Sequence, residues 1–129
     1  MKCYVAGSIR DIERVRYVQS LVRRCGWEIT FDWTRNGETR DGESWDDDRE
    51  KAAWLAEREI EACREADVLI WVWHSRSYGS VMEFMATLAT GGECWVVGCE
   101  RSSVFFYHRN VRMIDSIRDL QELLEVVNA

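Results

Sequence analysis

Proline is absent from these 129 residues, and histidine occurs only twice. Nothing about function follows from the missing proline, but the scarcity of histidine carries weight. With only His74 and His108, a Ser-His-Asp or Cys-His arrangement is poorly supplied. The five cysteines, Cys3, Cys25, Cys63, Cys94 and Cys99, are odd in number and include no CxxC pair. That speaks against a zinc site of the usual spacing and against a disulfide framework. Reduced, mostly buried thiols in a cytoplasmic protein that uses no metal or cofactor are the expectation. Neither GxGxxG nor GxxxxGKS/T occurs, so fingerprint dinucleotide and P-loop chemistry have no support. No apolar run approaches the roughly 20 residues of a membrane helix. The N-terminal stretch turns charged at Arg10, too early for a signal-peptide core. Basic residues are outnumbered 17 to 23, for a net charge of −6. The basic stripe of a general nucleic-acid binder is therefore missing.

What is present alternates between two periodicities. Lys2 to Ala6 reads as a buried strand ending at Gly7, and Arg10 to Cys25 as a helix stopped by Gly26. A second strand is expected over Trp27 to Trp33, a charged loop over Thr34 to Asp47, and a second helix over Asp48 to Glu65. The unbroken apolar run from Asp67 to Trp73 has the look of a central parallel strand buried on both faces. A third helix over Ser80 to Thr90 ends at Gly91-Gly92. Strands over Glu93 to Gly98 and Val111 to Ile114 precede a last helix from Asp115 to Val127. Strands alternating with helices define an α/β protein with a parallel sheet, and the length fits one domain over residues 1–129. Charge is concentrated in the middle. Residues 28–67 hold fourteen acidic and six basic residues, a run that also reads as a solvated face.

In an open parallel sheet, ligands bind beyond the carboxyl ends of the strands, where the strand order reverses. The loops there are Gly7-Ser8-Ile9-Arg10 and His74 to Ser80. Each is hydroxyl-rich and opens a helix, whose N-terminal N–H groups favour anions. Arg10 adds a fork suited to phosphate. The same stretches, Ser8 to Asp11 and Ser80 to Glu83, also fit capping boxes. Glu83 is the one charge on a helix apolar nearly all round, so that helix should be covered by the sheet and by a second copy of the chain. In a first turn its carboxylate would be held as an anion, ready as a nucleophile. Glu59 falls on the apolar stripe formed by Ala52, Leu55, Ala56, Ala62 and Cys63. Burial there would raise its pKa, as a proton donor needs. A lone acid on such a face also reads as one that snorkels or pairs with an arginine. Two carboxyl groups in these roles are the usual equipment for cleaving a glycosidic bond. Asp32, Trp33 and His74 lie at the same edge as candidate ligand contacts. Packing and loop roles remain open for Trp33 and His74.

Tyr4-Val5-Ala6-Gly7-Ser8-Ile9-Arg10, Ala66-Asp67-Val68-Leu69-Ile70 and Ser77-Tyr78-Gly79-Ser80-Val81-Met82-Glu83 together resemble the nucleoside 2-deoxyribosyltransferase superfamily over residues 2–98. The resemblance implies a Rossmann-like three-layer sandwich around a five-stranded parallel sheet, order 2-1-3-4-5. It implies cleavage of an N-glycosidic bond through a covalent glycosyl-Glu intermediate, with Glu83 as the nucleophile. The family aspartate that assists the leaving base has Glu59 as its counterpart by spacing, one methylene longer. Transferases of free nucleosides place an Asp six residues before the nucleophile. The branch that hydrolyses nucleoside 5'-monophosphates has Ser there, with a Gly-Ser-Ile-Arg loop. Ser77 and Gly7-Ser8-Ile9-Arg10 match that second branch, and a grip on the 5'-phosphate by Ser8, Arg10, Ser77 and the Gly79 backbone follows from the match. The family's dimers imply a homodimer whose neighbour completes the pocket, with Ser102 or Ser103 after the fourth strand. The expected partner is a small nucleotide. A base-exchanging transferase and a non-catalytic sensor of a nucleotide or an ADP-ribose-like signal stay open beside the hydrolase. Residues 34–47 are expected to form a lid over the base, with Trp33 or Trp45 stacking on it.

Overall fold

The structure is a computed structural model that describes residues 1–35, 40–75 and 77–128. Five parallel strands form one sheet: β1 (Lys2–Gly7), β2 (Glu28–Ile29), β3 (Val68–Val72), β4 (Glu93–Val97) and β5 (Val111–Ile114). Their order is β2-β1-β3-β4-β5, the order expected, and every neighbouring pair is parallel. Four helices connect them: α1 (Ile12–Arg24), α2 (Arg49–Glu65), α3 (Tyr78–Ala89) and α4 (Ile117–Val127). Among the described residues no helix is long and apolar enough to cross a membrane.

Strand parity sorts the core into two layers. Cys3, Val5, Val68, Ile70, Val72, Trp95 and Val97 pack with Val15, Val18 and Val22 of α1 and with Leu120 and Leu124 of α4. Tyr4, Ala6, Leu69, Trp71, Cys94 and Val96 face the other way, onto Leu55, Ala62 and Cys63 of α2 and Phe84 and Leu88 of α3. All five residues of β3 are buried, which is why that strand reads as a continuous apolar run. Each such side chain contributes about 1.5–3 kcal/mol by leaving water. Trp71, Phe84 and Phe106 meet with ring centroids 5.6–6.2 Å apart, pinning α3 and the 3-10 turn over Val104–Tyr107 to the sheet. Gly26, at φ +80°, ends α1 as its position predicts.

Three boundaries differ from the sequence expectation. β2 spans two residues rather than Trp27 to Trp33, and beyond it Thr34 N donates to Asp32 Oδ1 in a turn. Ser8 caps a 3-10 turn, Ile9–Asp11, by accepting from Arg10 N; the Ser8–Asp11 capping box does not form. α3 starts at Tyr78 with Ser77 as its cap, accepting from Ser80 N, so Ser80 lies inside the helix rather than before it. There Ser80 Oγ donates to Gly7 O (3.3 Å) and ties α3 to the end of β1.

Gly7 is required by a close approach. A Cβ there would stand 2.5 Å from Cγ2 of the buried Val15 and 3.3 Å from Val72 O. Gly7→Ala must therefore push α1 or β3 aside. We expect a loss of about 1–3 kcal/mol in unfolding free energy, read by chemical denaturation. An unchanged midpoint would show that α1 is not seated against Gly7.

Candidate active site

All five strands point the same way, so Gly7, Val72 and Val97 end at one edge of the sheet. The order reverses between β1 and β3, and a cavity of about 610 Å³ opens there. Its size suits a small organic ligand. Gly7, Ser8, Ile9 and Arg10 form one side; Ser75, Ser77, Gly79 and Ser80 form the next, at the start of α3. Glu83 comes from one turn further along α3. Glu59 enters from α2, whose Ala52, Leu55 and Ala56 line the wall above it. The stripe read on α2 thus has two uses. Its C-terminal end, Ala62 and Cys63, is core, and its N-terminal end faces the cavity. Trp33 and Trp45 complete the lining with Arg40, Asp41 and Gly42.

The structure brings together Glu83, Glu59, Gly7, Ser8, Ile9, Arg10, Trp33, Ser77 and Gly79 of the expected set. Asp32, His74 and Ser102 do not line the cavity. Asp32 is buried, accepting from Gln19 Nε2 and Thr34 N at 3.0 Å each, with Arg23 and Arg35 at 3.5 and 3.4 Å. Burial works against its charge, but the bonds from Thr34, Gln19 and Arg23 outweigh it and hold the carboxyl below its usual range. It secures the turn after β2. His74 is exposed beside Ser75, and Ser102 is exposed ahead of the Val104–Tyr107 turn. Of the expected lid, residues 36–39, Gly37 among them, lie outside the described residues, and Arg40, Asp41, Gly42 and Trp45 border the cavity. Arg40 is stacked 4.1 Å over Trp45 and paired with Asp47, which fixes the indole at the rim. Trp33 is fixed too: its Nε1 donates to Val5 O at 2.8 Å, leaving its face to the cavity.

The expectation of an ionised Glu83 in a first turn does not hold. The first turn of α3 carries no acid, and Glu83 is its sixth residue. Burial, then the charge of Glu59, pushes the Glu83 carboxyl up to about 8; a hydrogen bond from Tyr4 works the other way. Glu59 is also raised, by burial. The surroundings of Glu83 therefore favour its protonated form. Tyr4 was not anticipated as a site residue. Its hydroxyl donates to Glu83 Oε2 from a fully buried ring. Burial, then the charges of Glu83 and Glu59, keeps the phenol protonated and so a donor. The available signal was a tyrosine inside a strand buried on both faces, since a buried hydroxyl needs a partner.

No family profile matches the chain, and no curated protein matches it. Solved structures do. The CMP N-glycosidase BcmB of Clostridium botulinum superposes with a TM-score of 0.63 at 14% identity, over 98% of this chain and 99% of that one. The 2-deoxyribosyltransferase of Bacillus psychrosaccharolyticus gives 0.67 at 14% identity, over 94% and 90%. A conserved protein of Enterococcus faecalis V583 gives 0.64 at 16% identity, over 98% of each chain. This chain has their fold from end to end, and the resemblance read from its three motifs is borne out at that level.

The like charge of Glu59 is one cause of the raised Glu83 pKa, so neutralising it acts in one direction. Glu59→Gln should bring the Glu83 carboxyl titration below about 8, followed by carbon-13 NMR. A titration that stays in place would mean burial alone sets it. The sign for stability is also fixed. A carboxyl whose folded pKa lies above its unfolded value stabilises the fold below the unfolded value, and that stability is lost as pH rises toward 8. Glu83→Gln should therefore gain thermal stability over the parent between pH 5 and 9. A constant difference across that range would contradict the shift.

Proposed function

We propose that this chain hydrolyses the N-glycosidic bond of a nucleoside 5'-monophosphate, with 2'-deoxynucleotides as the first class to test. The observation that carries the reading is the meeting of Glu83 and Glu59 in one cavity whose other end is the Gly7–Arg10 loop and the N-terminus of α3. The phosphate lies against Ser8, Arg10, Ser77 and the Gly79 backbone. The sugar then reaches Glu83, and the base lies between Trp33 and Trp45. That two solved structures of this fold belong to a CMP N-glycosidase and a 2-deoxyribosyltransferase supports glycosyl chemistry on the base-bearing carbon.

The active form of the pair carries one proton, placed on Glu59, with Glu83 ionised. A carboxylate oxygen of Glu83 bonds to C1' as the C1'–N bond breaks, and the bonding electrons leave with the base. Glu59 gives its proton to the departing base. Water then attacks C1' and passes a proton to Glu59, and the bond to Glu83 breaks to leave sugar phosphate. Tyr4 holds Glu83 Oε2, which leaves the other carboxylate oxygen for C1'. The active form holds as many protons as the one with the proton on Glu83, so kcat/KM should fall as pH rises past about 8 and the pair loses its last proton.

Apolar side chains stand exposed on α3 (Tyr78, Val81, Met82) and on the 3-10 turn after β4 (Val104, Phe105, Tyr107). Their exposure supports a homodimer through this face, with a neighbour closing the α3 side of the cavity.

The deciding assay is release of free base from a panel of deoxynucleoside and nucleoside 5'-monophosphates, with and without an acceptor base. We expect release without an acceptor, abolished by Glu83→Gln in a folded protein. Turnover only with an acceptor would make the chain a transferase, and binding without release of any base would make it a sensor.

A further inference from the structure

Of the two arginines that border the cavity among the described residues, Arg40 is 10% exposed, paired with Asp47 at 2.5 and 3.2 Å, bonded to Ser44 O and stacked on Trp45. Arg10 is 65% exposed, and its guanidinium makes one bond among the described residues. That bond runs from Nε to Asp41 Oδ2 at 2.7 Å, and both Nη groups carry none. Asp41 is itself half-exposed and lines the same cavity. The bond to Asp41 holds the charge of Arg10 more firmly still. The guanidinium at the phosphate end of the site thus has an internal anion beside it.

We infer that Asp41 sets how strongly the site prefers a charged 5' group: it engages the Arg10 guanidinium and competes with a ligand's 5' phosphate for it, which moderates the preference. The inference rests on the monophosphate reading. A pair this exposed is weakly held and screened by salt. A phosphate dianion brings more charge than a carboxylate and can take Nε and an Nη group at once, so it displaces Asp41. A neutral 5'-hydroxyl brings no charge and leaves Arg10 with Asp41. Asp41 therefore lowers the affinity for every phosphorylated ligand and leaves neutral ones untouched.

The test uses 2-deoxyribose 5-phosphate, which carries the phosphate and has no bond to cleave, with 2-deoxyribose as its neutral counterpart. Both are titrated calorimetrically into the parent protein, Asp41→Asn, Arg10→Ala and the double variant. Asp41→Asn should bind the sugar phosphate about two- to fivefold more tightly, a gain that shrinks with added salt. Binding of 2-deoxyribose should not change. The gain should vanish when Arg10 is alanine. Weaker or unchanged binding by Asp41→Asn would overturn the inference by showing that the carboxylate orients Arg10 or does nothing. An equal gain without Arg10 would overturn it as well. If neither the parent nor Asp41→Asn binds the sugar phosphate, the monophosphate reading falls and takes the inference with it. Tight binding by the parent with no gain in the variant removes the inference alone.

Discussion

A hydrogen bond from a buried phenol to a carboxyl group joins the centre of the sheet to the helix that covers it. Tyr4 stands on β1, wholly out of water, and its hydroxyl meets Glu83 on α3. The bond satisfies a polar atom that could not otherwise be buried, and it fixes which oxygen of Glu83 stays available. Much around it serves that contact. Parity along β1 turns Tyr4 toward α2 and α3, the aromatic cluster of Trp71, Phe84 and Phe106 seats α3, and Ser80 fastens the helix start to Gly7 O.

The same placement sets the electrostatics. Glu83 and Glu59 line one cavity; burial raises both carboxyl groups, and the charge of Glu59 raises Glu83 further. A pair that resists full ionisation holds one proton across neutral pH. One proton is what a site needs if one carboxyl is to attack carbon while the other protonates a leaving group. The roles proposed for this pair thus rest on position in the fold more than on the kind of residue.

The layered α/β fold was legible because its signals are redundant. β3 is an unbroken apolar run, α1 carries its stripe of valines, and glycines mark where helices stop. The local caps were harder to read. Ser8 and Ser80 satisfy the same sequence pattern as capping boxes, yet one caps a 3-10 turn and the other bonds across to β1. The cavity's two carboxyl groups could be found from their isolation among apolar neighbours. Tyr4 offered a weaker signal, a hydroxyl in a buried strand that needs a partner, and Asp41 offered none, since it sits in an acidic run where one carboxylate looks like the next. Asp32 misled for the opposite reason, since it stands near the right edge but its bonds turn it into the β2 exit.

The most direct test of the account is the bond it requires between Glu83 and the sugar. The protein would be mixed with a deoxynucleoside 5'-monophosphate, quenched in acid during turnover, digested and mapped by mass spectrometry. The account predicts a deoxyribose-phosphate adduct on the peptide containing Glu83, absent from Glu83→Gln. Base release with no adduct at any time, or with an adduct on a different residue, would contradict it.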